Sequence, residues 1–522
     1  MQSPPVKRAI ISVSDKLGLA GFARGLVEAG VEIFSTGGTR RHLESEGIAV
    51  TDVSAYTGFP EMMDGRLKTL HPMIHGGILC RRDNSTDMAA VAEFGIKTFE
   101  LVVVNLYPFE QTVARENVTE DEAIENIDIG GPTMVRAAAK NHLFTTIATG
   151  AGQYSEILQE ITANGCTSLE LRKRLAAEAF AHTARYDAAI AAYFAGQRAE
   201  GPFPGHLALA LTRKSVLRYG ENPHQQAALY AAANAPAANL VSAMQLNGKE
   251  LSYNNLLDLD SALAIVRGFS EPAASVIKHN NPCGAAVGAT LAEALEKGLQ
   301  GDPLSAFGSV LGLNRVVDAA AAELLARPGL FIEAIVAPDF APEALEILTT
   351  RPKWKANVRL MKVGDLAESP ERWVFRCIEG GMLMQEADVL ADPEDDWKVV
   401  TDAKPAEAQF ADLRFAWNIV RHVKSNAIAI CKDRMLLGAG AGQMSRVDSV
   451  EIAINKAGDR VPGAVLSSDA FFPFPDSIER LAKAGIAAVI QPGGSKNDQA
   501  VISACNASNV PMIFTGRRHF KH

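Results

Sequence analysis

The sequence predicts an α/β protein of at least two domains, and three observations carry the prediction. Apolar strands alternate with amphipathic helices through the first 200 residues, the rhythm of a parallel sheet with helices on its faces. A chain of 522 residues exceeds the roughly 250–300 residues that a single core serves. Beyond a break at 201–206, the second half runs twice through a helix followed by two apolar strands about a turn, which predicts two related α/β subdomains.

Composition narrows the class. With 48% hydrophobic and 21% charged residues the chain is an ordinary globular protein. A net charge of -9 argues against broad binding to nucleic acid or an anionic membrane, so any phosphate site must be a local cluster of donors. The N-terminal MQSPPVKRAIISVSDKLGL has too few apolar residues before its charges return to form a secretory core, and no apolar run approaches the ~18 residues of a membrane span. A cytoplasmic protein is expected. Cys80, Cys166, Cys283, Cys377, Cys431 and Cys505 form no CxxC, which indicates neither a disulfide framework nor a structural zinc site.

In chain order, KRAIISV reads as a strand, and Ser14 then caps a helix with Phe22, Leu26 and Val27 on its apolar face, ending at Gly30. VEIFS is the next strand. In the TGGT that follows, Gly37 and Gly38 allow close backbone approach, and the helix start offers free amides to an anion. GRLKTLHP groups Arg66, Lys68 and Thr69, three donors suited to phosphate oxygens. LVVVNLYPF is a near-continuous apolar strand ending in Asn105 and Tyr107. DIGGPTMVRAAAKNH supplies Asp128, Gly130 and Gly131, then Pro132 at the expected first helical position, with Arg136 and Lys140 on one helix face. In open parallel sheets ligands bind beyond the carboxyl ends of the strands, where these loops would gather, so a phosphorylated small molecule is the expected ligand.

Residues 168–199 are Ala-rich and helical, and GPFPGH at 201–206 marks the expected boundary between domains 1–200 and 201–522. LALALTRKSVLRYGENPHQ returns to strand and turn, exposing Arg218 and Tyr219, and AAANAPAAN reads as a linker. Then comes AASVIKHNNPCGAAVG, in which a buried strand delivers Lys278 and His279 into a turn expected from Asn281, Pro282 and Gly284. A cation beside an imidazole makes a plausible acid–base pair. LLDLDSALAIVRGF before this stretch matches ADLRFAWNIVRHV before SNAIAICKDRMLLGAGAGQ, and DPLSAFGSV is expected to match SSDAFFPF.

Taken together, SVSDK, STGGT, GRLKTLHP, NLYPF, DIGG with AAAKNH, LRYGENPHQ, KHNNPCGAAVG, DPLSAFG, SNAIAI, GAGQMSR, SDAFFPF and the terminal RRHF resemble the bifunctional purine-biosynthesis family that unites aminoimidazole carboxamide ribonucleotide (AICAR) formyltransferase with inosine monophosphate (IMP) cyclohydrolase. The resemblance runs from about residue 10 to the C-terminus. It implies a methylglyoxal-synthase-like N-terminal domain that closes the purine ring, and a C-terminal transformylase of two cytidine-deaminase-like subdomains. It also implies 10-formyltetrahydrofolate as cosubstrate, no tightly bound cofactor, no metal and a homodimer.

Residue by residue, the resemblance implies His279 as base and Lys278 as oxyanion or leaving-group partner in formyl transfer, and Lys140 as proton donor and acceptor in cyclisation, with Asp128, Tyr107 and Lys68 ordering the reacting groups. The cyclohydrolase nucleotide would lie on Ser14, Asp15, Lys16, Thr36, Gly37, Gly38, Thr39, Arg66, Leu67, Thr69, Asn105, Ile129, Gly130 and Gly131. AICAR would lie on Arg218, Tyr219, Gly308, Glu333, Asn426, Arg446 and Arg518, and the folate on Val447, Phe471, Ser495 and Lys496. Two other classes compete. Pro282-Cys283 matches half of a zinc-deaminase signature, with Ala286 where the second cysteine belongs. A non-catalytic nucleotide-binding regulator needs only the Gly-rich loops. At the C-terminus, MIFTGRRHFKH begins as a strand, with only its last two or three residues expected to be free.

Overall fold

The computed structural model describes residues 3–63, 66–196, 203–232, 238–366, 373–389 and 392–522. The chain divides into two compact units, Met1–Ala210 and Leu211–His522. Residues 201 and 202 of the expected break and 233–237 of the AAANAPAAN segment lie outside the described residues.

Five parallel strands form the first unit: β1 (Arg8–Ser12), β2 (Glu32–Ser35), β3 (Thr51–Asp52), β4 (Leu101–Val104) and β5 (Thr146–Ala148), in the order β3-β2-β1-β4-β5. All four residues of β4 are buried, as a parallel sheet covered on both faces requires. The order reverses between β1 and β4, and that crevice at the strands' carboxyl ends is where such sheets bind ligands. Three local expectations need correction. The first helix, Leu19–Glu28, starts after Gly18 in a left-handed conformation (φ 70) with no side-chain cap, and Ser14 stands four residues before Gly18, in a loop where its N–H donates to Asn105 Oδ1. Its Val27 is 41% exposed and outside the core stripe. Pro132 is the third residue of helix Gly130–Lys140, tolerated there because the first four N–H groups have no partner in the helix.

The second unit opens with a hairpin of β6 (Leu211–Leu217) and β7 (Ala227–Ala232). There follow β8 (Met244–Asn247), β9 (Ala273–Lys278), β10 (Asn281–Val287), β11 (Ser309–Leu313), β12 (Ile332–Ala337) and β13 (Arg359–Lys362). A second hairpin, β14 (Trp373–Ile378) with β15 (Gly381–Glu386), precedes β16 (Lys398–Val399), β17 (Ile428–Lys432), β18 (Met435–Gly440), β19 (Val465–Ser468), β20 (Ala488–Gln491) and β21 (Met512–Phe514). Apart from the hairpins, they make one 12-stranded sheet in the order β16-β21-β20-β19-β17-β18-β10-β9-β11-β12-β13-β8.

From either end inward, this sheet shows the same succession: an antiparallel edge strand, three parallel strands, then a hairpin. The halves join where Ala286 of β10 faces Met435 of β18, antiparallel. Asp258 and Asp412, Lys278 and Lys432, and Gly284 and Gly438 are each 154 residues apart. The glycines recur for a steric reason: a Cβ would lie 2.0 Å from Gly298 O in the first repeat and 2.3 Å from Ala453 O in the second, because a helix rests directly on the strand.

Two expectations change here. Pro282 and Gly284 lie within β10, with a bulge at Cys283 between them, and the turn is His279-Asn280. DPLSAFGSV runs into the start of β11, whereas SSDAFFPF leaves the end of β19. Val310 pairs with Ile277 and Val465 with Cys431, so these strands are equivalent and the two segments lie at opposite ends of them. Shared loop composition had made them look alike.

Candidate active sites

In the first unit, the loops after β1, β2 and β4 meet a turn carrying Lys68 and the start of helix Gly130–Lys140. A Cβ on Gly37 would sit 3.4 Å from Lys68 Nζ, and one on Gly130 would sit 2.6 Å from Thr69 Oγ1. The Lys68 turn therefore joins two helix N-termini, those of Gly37–Ser45 and Gly130–Lys140, whose free amides and positive dipole ends suit an anion. Asp128 accepts from Gly131 N–H at 2.8 Å, and its own N–H donates to Tyr186 Oη at 2.8 Å. Burial raises the pKa of Asp128 against the opposing pull of the Gly131 and Tyr107 N–H groups and the Lys68 ammonium, so this carboxyl takes up a proton more readily than a free one.

Several expected ligand contacts serve the protein instead. Thr39 Oγ1 donates to Val13 O at 2.9 Å and accepts from Val13 N–H at 3.0 Å. Asn105 Oδ1 accepts from Ser14 and Asp15 N–H, and its Nδ2 donates to Asp15 O at 2.8 Å, so it shapes the Ser14-Asp15-Lys16 loop. Thr36 donates to Glu61, and Arg66 pairs with Glu125 at the surface. Leu67 lies in the turn and Ile129 precedes the helix, 60% exposed. Tyr107 is 39% exposed at the carboxyl end of β4.

Lys140 stands apart from this cluster. It ends the helix that Gly130 begins, about 15 Å away along the axis, and the chain then enters β5 at the opposite edge of the sheet. It is exposed there, apart from Lys68 and Asp128.

In the second unit, one sheet edge gathers the end of β9, the starts of β10, β11, β12 and β17, and the ends of β19, β20 and β21. A cavity of about 430 Å³ opens there, lined by Asn426, Arg446, Val447, Phe471 and Arg518 among others, with Phe474 and Phe520 as further apolar walls. Arg446 is held almost completely buried, its guanidinium 2.6 Å from Asp469 Oδ1, 2.7 Å from Ser468 Oγ and 2.8 Å from Asn426 Oδ1. Ser425 donates to the other Asp469 oxygen. The loop carrying Ser495 and Lys496 adjoins the cavity through Asn497, which donates to Pro473 O at 2.7 Å. Arg518 lies over the Phe520 ring at 4.5 Å, and the tail is tied down farther than expected: Ser425 N–H donates to Lys521 O at 2.9 Å.

The first repeat brings its hairpin turn to the same edge. Lys424 N–H donates to Asn281 Oδ1 at 3.0 Å, which sets the His279 turn beside Ser425 and Asn426. His279 is exposed with φ 52 and Asn280 has φ 62, the left-handed pair of a two-residue hairpin. For residues other than glycine that conformation costs roughly 1–2 kcal/mol each. Asp258 on helix Tyr253–Arg267 offsets the strain by accepting from Asn280 N–H at 2.7 Å. Lys278 Nζ donates to Gly308 O at 2.8 Å and Phe307 O at 3.2 Å. Glu333 follows Phe331, whose carbonyl accepts from Gly308 N–H at 2.7 Å, and its carboxylate is bound by Arg359 at 2.7 Å. Arg218 donates to Tyr219 Oη at 2.8 Å, on a loop tied to the Asp258 helix by Asn254 and Glu221 O at 3.1 Å.

Sequence reading missed Asp258, Asp469, Ser425 and Tyr186. The repeat held a signal for the first: Asp258 and Asp412 precede their turns by the same interval. Cys283 donates to Val276 O at 3.4 Å, and burial pushes its thiol up to about 12, the behaviour of a core filler. Among the described residues, no three His, Cys, Asp or Glu side chains cluster as a metal ion would require, and no helix is long and apolar enough to cross a membrane.

The AICARFT/IMPCHase bienzyme family model matches residues 138–456, and the MGS-like domain model matches residues 18–133. A bifunctional purine biosynthesis protein PurH of Rhodopirellula baltica is 61% identical over 99% of both chains. That of Bacillus mycoides is 49% identical over 99% of this chain and 100% of its own. The crystal structure of ForH aligns with 36% of this chain and 99% of its own at 32% identity, with a TM-score of 0.33.

Proposed function

The chain belongs to the AICARFT/IMPCHase bienzyme family, and we propose that its two compact units divide the two activities, cyclisation in Met1–Ala210 and formyl transfer in Leu211–His522. As a bifunctional enzyme of purine biosynthesis it formylates AICAR and cyclises the product to IMP. The observation that carries the division is that each unit holds its own cluster of cations and titratable groups at a sheet edge.

In the second unit, His279 takes the proton from the 5-amino group of AICAR as its nitrogen attacks the formyl carbon of 10-formyltetrahydrofolate, a role worth ~10²–10⁴ in rate. Lys278, tethered to Gly308 and Phe307, steadies the oxyanion, and the bond to the folate nitrogen then breaks as tetrahydrofolate leaves with a proton. Arg518 and Arg218 hold the phosphate, Asn426 and Glu333 the base or ribose, and Phe471 with Val447 and the Ser495-Lys496 loop the pterin.

In the first unit, the carboxamide nitrogen attacks the formyl carbon and water departs. Positioning supplies much of the rate of such an intramolecular step. Lys68 and Asp128 handle the protons, because they share the edge with the helix N-termini, while Lys140 stands at the other. The six unpaired cysteines suit a reducing cytoplasm. A homodimer is supported by the hairpins: Leu211, Val216 and Tyr230 of one, and Ile378 and Leu383 of the other, are 50–69% exposed, and two-stranded hairpins are marginal alone in water.

Separate assays of the two steps test the division. Lys68→Ala lowers cyclisation of formyl-AICAR at least about 100-fold and spares formyl transfer, His279→Ala does the reverse, and Lys140→Ala spares both. Loss of both activities in a folded single variant would overturn the division.

A further inference from the structure

His279 stands in a conformation that its own backbone does not favour, so something beneath the turn must hold it. The Asp258 carboxylate accepts from Asn280 N–H at 2.7 Å and also faces the His279 N–H. Asn280 is further fixed through its side-chain amide, whose nitrogen donates to Asp258 Oδ1 and Leu257 O, each at 3.1 Å. In the other repeat Asp412 does the same work, accepting from Asp433 N–H at 3.0 Å and Arg434 N–H at 2.7 Å, under a turn with φ of 52 and 53. That second turn carries no imidazole and lies at the opposite edge of the sheet.

We propose that Asp258 is a positioning residue for formyl transfer: it grips the turn from beneath and fixes the left-handed backbone from which His279 meets the amino group of AICAR. The proposal rests on the reading of His279 as the base. Asp258 acts through His279 and does not touch substrate. Its charge faces His279 and Lys278. Burial raises its own pKa, in keeping with a carboxyl enclosed under the turn. Asp412 is a control provided by the molecule itself, since it grips the equivalent turn in the same fold with no chemistry above it.

The experiment compares full-length Asp258→Asn and Asp412→Asn, measuring kcat and KM of formyl transfer, cyclisation and the thermal midpoint. Asp258→Asn is expected to lower kcat of formyl transfer by roughly 10- to 100-fold and to leave the AICAR KM within about threefold. Asp412→Asn is expected to lower the thermal midpoint comparably while leaving kcat within about twofold. Adding Asn280→Gly to Asp258→Asn, which supplies the left-handed preference by itself, restores part of the lost kcat. In a His279→Ala background, Asp258→Asn removes nothing further. Equal kcat losses in the two Asn variants, or no loss in Asp258→Asn while His279→Ala is inactive, would overturn the proposal. Full formyl transfer in His279→Ala would overturn the base reading instead. If Asp258→Asn does not fold, Asp258→Glu decides on the same measurements.

Discussion

Lys278 and Lys432 occupy the same position in the two repeats of the second unit, and each donates to a carbonyl in the segment before its neighbouring strand, at Gly308 and Pro462. The next residue is His279 in one and Asp433 in the other. The same split recurs wherever the repeats are compared. Features that build the hairpin and seat a helix on it are duplicated: Asp258 with Asp412, Gly284 with Gly438. Features that line the cavity are not. Arg446 begins its helix where Leu291 begins the equivalent one, Asp469 occupies the position that Asn314 has in the first repeat, and by the register of β13 and β21 Arg518 stands where Leu366 does. A fold can be copied whole, but a site at the shared edge takes a turn from one repeat and loops from the other, so each copy is free to lose half of its chemistry.

Exchanging residues between the repeats breaks or sharpens this contrast. The largest effect is expected from His279→Ala, which lowers formyl transfer by about 10²–10⁴, whereas Asp433→Ala leaves it within about twofold. Equal losses at the two turns would mean that the hairpins are equivalent in function as well as in fold.

The next effect is on stability. Asp469→Asn installs the first repeat's residue and leaves the buried Arg446 guanidinium without its carboxylate, a loss worth about 3–5 kcal/mol, so the thermal midpoint should fall by at least about 5 °C. Adding Arg446→Leu, again the first repeat's choice, should recover part of the loss in calorimetry. A double variant less stable than Asp469→Asn would show that the cavity-side network is not a self-contained exchange for apolar packing.

Arg518→Ala should raise the AICAR KM about 10- to 100-fold, the worth of one charge-assisted bond of roughly 1.5–3 kcal/mol, with the folate KM and cyclisation little changed. Removing His522 alone should be silent. Removing Lys521 as well should weaken activity, because its backbone is bonded to Ser425. An unchanged AICAR KM in Arg518→Ala would return that arginine to the plain surface.

The smallest effect is one of pH. Burial disfavours the His519 imidazolium, but hydrogen bonds to Asp388 at 2.6 Å and Asp392 at 2.7 Å outweigh it, and the net pKa is raised. The stabilisation from a raised histidine is complete below its unfolded value near 6.5 and lost as pH rises through the folded one. Asp392, lowered to about 2 against its own burial, loses its contribution only as pH falls toward that value. Between pH 5 and 9 the native midpoint should therefore decline relative to His519→Gln, and parallel curves would deny the imidazolium its part.

Much of this was legible along the chain. Apolar runs with helical spacing between them announced the parallel sheet of the first unit, because covered strands need continuous hydrophobic residues. The second half's duplication could be read from paired helix and strand motifs, although loop composition misplaced DPLSAFGSV against SSDAFFPF. Motif order pointed to the family, and five of the residues it suggested line one cavity.

What the sequence could not determine is set by through-space placement. Asp128 lies just before helix Gly130–Lys140 and Lys140 ends it, so the two are close in sequence, yet rigid helical rise carries Lys140 to the opposite edge of the sheet. Asp258 and His279, on different elements, are joined only because the helix folds back over its hairpin. Local pattern determined which elements form, since burial and backbone hydrogen bonding act on each segment's own periodicity. The tertiary structure decided which charged groups share an edge, because that depends on sheet order and crossover direction, which no local segment encodes.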